Sequence, residues 1–67
     1  MSVARVTEIT SSSTEGLEDA INKGIERSCR TLSNVEGAWV QDIKLVVRDN
    51  KVAEWRVNMK VTFVLSD

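Results

Sequence analysis

The stretch VAEWRVNMKVTFVL, residues 52–65, alternates apolar and polar side chains almost without interruption. Side chains on a β-strand point to opposite faces with a period of two, so Trp55, Val57, Met59, Val61, Phe63 and Leu65 share one face. Glu54, Arg56, Asn58, Lys60 and Thr62 share the other. Such alternation marks a half-buried strand, and the rest of the chain reads as what covers its apolar face and pairs with its edges.

Working outward, the residues just before it form its hairpin partner. A strand is predicted from about Ala38 to Arg48, with Trp39, Gln41, Ile43, Leu45 and Val47 alternating against Val40, Asp42, Lys44, Val46 and Arg48. Asp49-Asn50 makes the turn, because Asn and Asp tolerate the positive φ that tight hairpins require.

Further upstream, Leu17, Ala20, Ile21, Gly24, Ile25, Ser28, Cys29 and Leu32 recur with the spacing of one helical stripe. Asp19–Lys23 and Glu26–Arg30 are i,i+4 pairs in the favourable order. Ser13 is the predicted N-cap, with Ser12 and Glu15 as an alternative capping box. Asn34 and Gly37 are both possible stops. Gly24 costs up to about 1 kcal/mol of helix propensity relative to Ala, which points to a close approach of helix and sheet. Val3 to Thr10, rich in β-branched residues, reads as a first strand with Val3, Arg5, Thr7 and Ile9 on one face.

The element order is therefore β-α-β-β. A right-handed crossover leaves the return strand of the hairpin between the other two, giving a three-stranded antiparallel sheet of order 1-3-2 packed on one amphipathic helix, an α+β fold. Residues 1–67 read as a single domain. One helix covers one face, which leaves the other carrying Glu54, Arg56, Asn58 and Lys60 beside Val40, Val46 and Val64. A monomer would expose those valines next to open sheet edges, and a symmetric oligomer would cover them.

Bulk composition agrees. A 67-residue chain is marginal as a lone domain. Its one cysteine, Cys29, cannot bridge within the chain, and without histidine there is no clustered zinc-type ligand set. Oligomerisation is the remaining staple. Nine basic residues are interspersed with ten acidic ones, which gives nucleic-acid binding no electrostatic support. No apolar run is long enough to span a membrane, and a cytoplasmic location is expected.

Enzymatic chemistry has no foothold. With no His for acid–base work and no Ser or Cys beside an evident base, no catalytic residue is assigned. Cys29 reads as a small buried hydrophobe within the helix stripe, and Trp55 as core. Trp39 is either an interface aromatic or a ligand-stacking surface. Arg56, Lys60, Glu54, Asp42 and Lys44 are either a ligand patch or, as the commoner outcome, an inter-strand or inter-subunit ion-pair lattice. Glu8 and Asp42 could help hold a hard cation at a symmetry axis, but no ligand loop accompanies them and no metal site is assigned.

The opening SVARVTEITSSSTEGLEDAI (residues 2–21), GAWV (37–40) and the closing VNMKVTFVL (57–65) resemble the dodecins, over essentially the whole chain. The resemblance implies a non-enzymatic homododecamer that holds flavin, riboflavin or FMN, stacked on tryptophan at subunit contacts, as a storage protein. In the family's flavin binders the stacking Trp stands three residues before a valine; matched to Val40, that position is Gly37, and Trp39 lies two residues further on. The glutamine that hydrogen-bonds the flavin ring falls on Arg56, which donates but cannot accept. The basic position that contacts phosphate-bearing ligands falls on Lys44. A dodecin-type shell without physiological flavin, serving as a structural assembly or as an ion or coenzyme binder, is the competing expectation.

Overall fold

A computed structural model describes residues 2–65; the ends of the expected 1–67 unit, residues 1, 66 and 67, lie outside it. The elements run β1 (Ala4–Ser13), α1 (Leu17–Thr31), β2 (Val35–Arg48) and β3 (Lys51–Val64). β3 is central and antiparallel to both neighbours, in the order β1-β3-β2. The predicted topology therefore holds.

Asp49 (φ 53°) and Asn50 (φ 64°) turn the β2–β3 hairpin in the left-handed region, as a two-residue loop between right-twisted strands requires. Asn34 (φ 61°) reverses the chain after the helix, and its carbonyl accepts the Val64 N–H at 3.0 Å. Gly37, the other expected stop, lies instead inside β2, which begins three residues earlier than predicted. β1 in turn continues through Ser11–Ser13, because β3 is long enough to pair with them as far as Ser13 opposite Trp55. Ser13 is thus not the N-cap. That position is Gly16, with extended backbone and no side-chain cap. Ser13 works from the strand end: its hydroxyl accepts the Glu15 N–H at 2.9 Å and donates to Asp19 in the first turn of α1.

The core is small. Ala20, Val57, Met59 and Val61 are fully buried, and Ile9, Leu17, Ile21 and Ile25 pack against their cluster. The helix lies over β1 and β3 and leaves most of β2 uncovered. That offset corrects two expectations. Cys29 is exposed, because its side of the stripe overhangs the sheet beyond β3, where it lines an open depression with Ile25, Val35 and Ala38. Trp55 is only half-buried, since it stands where β1 ends.

Register irregularities in β2 move its faces. Between Val40 and Asp42 the strand advances two residues while β3 advances one, so Gln41 is a bulge. Val40, opposite Met59, consequently lies on the helix side and not on the outer face, together with Ile43 and Leu45 opposite Val57 and Trp55. Trp39 parts from Ile43 and Leu45 and joins the outer face, opposite Lys60.

The molecule measures 51 × 19 × 13 Å with a radius of gyration of 13.8 Å. A compact chain of this length would have about 11 Å. The hairpin tip beyond Trp55 has no β1 partner, and Ile43 and Leu45 stay half exposed on a strand with a free edge.

Candidate functional site

The outer face of the sheet is built in cross-strand rows. Opposite pairing of all three strands sets Glu8, Lys60 and Trp39 in one row, Thr10, Asn58 and Asp42 in the next, and Ser12, Arg56 and Lys44 in the third. Gly37, opposite Thr62, lies one row beyond Trp39 on the same face. Rows two residues apart are separated by about 6.6 Å, so about 13 Å of strand lies between the Trp39 row and the Arg56 row. All four residues singled out in the sequence thus share one face. Simple alternation along β2 would have placed Trp39 opposite Lys44; the Gln41 bulge brings them together.

Trp39 is 69% exposed, the most exposed of the large apolar side chains described. Lys60 Nζ stands 6.0 Å from its ring centroid, at the outer limit of a cation–π contact. Val6, Glu8 and Thr62 complete an open depression of about 470 Å³ around this pair. At Gly37 a β-carbon would meet no atom within 4 Å, so the ground beside Trp39 is open.

A second depression of about 260 Å³ adjoins it, lined by Glu8, Thr10, Asp42, Lys44, Arg56 and Asn58. Glu8 belongs to both. Arg56 Nε donates to Glu54 Oε1 at 3.1 Å, a bond that leaves the terminal NH2 groups of the guanidinium outside it. That hydrogen bond holds the Glu54 carboxyl below the usual carboxylate range, against the opposing effect of its partial burial. Among the described residues Glu54–Arg56 is the ion pair that closes on this face. The lattice expected of Asp42, Lys44 and Lys60 does not form within one chain.

Asn58 is placed on the outer face by the sequence but is given no individual role there. Its Nδ2 donates to Thr10 Oγ1 at 3.2 Å, while its Oδ1 is buried and has no hydrogen-bond partner among the described residues. Periodicity placed Asn58 on the polar face but could not show that its row-mate Thr10 satisfies one end of the amide and leaves the other.

Chemically the face offers an aromatic plane, a middle row of oxygen acceptors and a basic row. Two carboxylates, Glu8 and Asp42, fall short of the six to eight oxygens a calcium ion takes. Among the described residues no group of three or more His, Cys, Asp or Glu side chains is arranged to hold a metal ion. No helix among them is long and apolar enough to cross a membrane.

Comparison with known proteins gives one family. The model of the Dodecin family matches residues 3–66. A solved dodecin from Streptomyces davaonensis is 38% identical, with a TM-score of 0.91 and coverage of 98% of this chain and 97% of that one. A Thermus thermophilus protein solved without substitution is 30% identical, with a TM-score of 0.94 over 100% of this chain and 98% of that one, and a point mutant of the T. thermophilus dodecin matches equally well. A Mycobacterium tuberculosis protein described as a calcium-chelating calcium dodecin shares the fold at 20% identity, with a TM-score of 0.81 over 96% of this chain and 91% of its own. No curated protein matches the chain.

Proposed function

This chain belongs to the dodecin family of non-catalytic, typically homo-oligomeric binding proteins, and from that premise we propose that it is a homododecameric flavin store. Riboflavin or FMN lies with its ring on Trp39 at a contact between subunits. The observation that carries this reading is the exposure of Trp39 on an open face beside Gly37. A large planar π surface in water gains both dispersion and hydrophobic free energy when a second plane covers it.

The residues present suit the ligand in a changed way. Gly37 takes the family's stacking position and supplies room instead of a ring, so Trp39 must supply the plane. Arg56 lies two rows from Trp39. Within one chain it therefore meets only a tail that passes the edge of Trp39 from a ring stacked on its Gly37 side, and not the ring edge. Lys44, opposite Arg56, adds a second cation for a terminal phosphate.

A second reading is a dodecin shell that takes an ion or a coenzyme in place of flavin. What favours it is the pair of departures at Gly37 and Arg56, together with two outer-face carboxylates, Glu8 and Asp42, in one depression. Titration of riboflavin and FMN into purified protein separates the two. Flavin fluorescence quenched at micromolar protein, and lost in Trp39→Ala, supports the store; no quenching of either flavin leaves the shell.

A further inference from the structure

On the Gly37 side of Trp39 the outer face continues as the cross-strand row Val6–Thr62–Gly37, which carries no charge. Val6 is 57% exposed and the space above Gly37 is open, so a flat ring standing against Trp39 here rests on a small floor. Its rim toward β3 is formed by Lys60 in the Trp39 row and Thr62 in the Gly37 row, and both line the same depression as Trp39. Lys60 stands between two neighbours, the Glu8 carboxylate on β1 and the Trp39 ring on β2. Its ammonium lies over the ring, 6.0 Å from the centroid, and among the described residues it forms no ion pair with Glu8. A contact at that distance is at the limit of cation–π attraction, which leaves the ammonium free to turn to a better acceptor. Arg56 and Lys44 lie two rows off, about 13 Å away on the side of Trp39 remote from Gly37 and beyond the screening length of about 8 Å in physiological salt. Lys60 is therefore the cation that a ring in this position meets.

We propose that Lys60 is the specificity-determining residue of the Trp39 surface, selecting planar ligands whose edge carries hydrogen-bond acceptors or negative charge and rejecting planar cations. The inference rests on the reading of Trp39 as the stacking surface. An ammonium offers three donors and no acceptor, so a carbonyl-bearing ring edge satisfies it and a cationic edge is repelled. Thr62 takes no side in this choice, because a hydroxyl both donates and accepts. Glu8 opposes it, drawing the ammonium back along the row and attracting cations to the same depression.

Riboflavin, with carbonyl oxygens on its ring edge, and proflavine, a three-ring aromatic cation, are the probes, and the ratio of their affinities by fluorescence titration is the readout. Lys60→Met keeps the apolar stem and removes the charge. Riboflavin affinity is expected to fall about three- to tenfold, the worth of one hydrogen bond. Proflavine affinity is expected to rise about threefold, the relief of one like charge at about 6 Å in water. Lys60→Gln should shift the ratio in the same direction and carries the test if Lys60→Met does not fold. Lys60→Arg, which keeps charge and donors, should hold the parent ratio, and Glu8→Gln should move it the other way. Both probes weakened alike in Lys60→Met, or a ratio that no variant moves, overturns the inference. If Lys60 is instead paired with a carboxylate of a neighbouring copy, Lys60→Met lowers the sedimentation coefficient with the ratio intact, and the inference also falls. Binding that is lost in Trp39→Ala but indifferent to Lys60 keeps the stacking surface and overturns this inference alone; failure of both probes to bind removes the Trp39 reading, and this one with it.

Discussion

Gly24 of the helix rests on Met59 of the central strand so closely that a β-carbon added to Gly24 would lie 2.7 Å from Met59 Cε. Ser11 Cβ at 3.0 Å and Ile9 Cδ1 at 3.4 Å close the same space from β1. The missing side chain is what lets α1 sit down on the two strands it covers. Gly24→Ala gains up to about 1 kcal/mol of helix propensity, but overpacking a filled core costs about 1–3 kcal/mol. Met59 is fully buried and cannot swing its methyl into solvent. We expect a net destabilisation of about 1 kcal/mol by urea unfolding, partly recovered in Gly24→Ala/Met59→Leu, which withdraws the offending methyl. A more stable single variant would mean that the helix does not approach this closely.

The strand-to-helix junction makes a second, pH-dependent prediction. Ser13 links the Glu15 N–H to the Asp19 carboxylate, and Lys23 approaches the same carboxylate oxygen at 3.0 Å. The Ser13 hydrogen bond, followed by that from Lys23, holds the Asp19 carboxyl below its ordinary range, and Asp19 raises Lys23 in return. A depressed carboxyl stabilises the fold above its unfolded pKa, about 3.9, and loses that contribution as pH falls through the lower folded value. The raised lysine contributes below its unfolded pKa, about 10.4, and loses it as pH rises through the higher folded value. Ser13→Ala should cost about 1 kcal/mol at pH 7 for the lost bond to the Glu15 N–H, with a further, pH-dependent loss for the bond to the Asp19 carboxylate. The gap between variant and parent in thermal unfolding should narrow as pH falls below the unfolded value and on through the lower folded one, because Asp19 then becomes protonated in both states. A gap that stays constant from pH 7 to pH 2 would show that Asp19 has no part in it.

Most of this architecture is legible in the chain because hydropathy and backbone chemistry agree at the deciding positions. Val57, Met59 and Val61 alternate cleanly, Asp49-Asn50 is a turn by residue type, and the helix stripe from Leu17 has one period throughout. What escapes is where faces shift without a change of pattern. β2 is apolar on both sides, with Trp39, Ile43 and Leu45 against Val40 and Val46, so a bulge at Gln41 leaves the alternation looking continuous. The lateral offset of α1 is equally silent, because a stripe gives the direction of a helix face and not which strands lie under it; this is why Cys29 reads as buried. The site residues Gly37, Trp39, Lys44 and Arg56 come from the family resemblance, whereas Asn58 is placed on the outer face by alternation and only three-dimensional register shows its pairing with Thr10.

The bare helix-side row of β2 gives a third prediction. Ile43 and Leu45 are 50% and 52% exposed next to an unpaired strand edge, in a molecule too elongated to cover them itself. Each such side chain gains about 1.5–3 kcal/mol when fully buried, and a charge forced into a closed contact is far costlier. Ile43→Asp or Leu45→Asp should therefore dissociate the proposed dodecamer, read as a fall in sedimentation coefficient at low micromolar concentration. The same change at Arg48, at the exposed hairpin end of the strand, should leave it assembled. Intact oligomers in both apolar-site variants would place the subunit contacts elsewhere.

The fourth prediction turns on Gly37 and Trp39, which sit two residues apart on the same face. Two rings raised from those positions stand about 6.6 Å apart, close to twice the thickness of an aromatic plane, so a flat ligand fits between them. The chain as it stands offers one ring and a gap in which a β-carbon meets nothing within 4 Å. Gly37→Trp should fill that gap without a clash and convert a one-sided platform into a clamp. Stacking on an aromatic side chain is worth about 1–3 kcal/mol, so riboflavin affinity should rise roughly 5- to 140-fold by fluorescence titration. Trp39→Ala should lose a comparable factor, and the double variant Gly37→Trp/Trp39→Ala should return near the starting affinity, because one plane then replaces the other. A Gly37→Trp variant that binds no tighter than its parent would show that the ligand does not lie along this edge of the sheet, whatever Trp39 contributes.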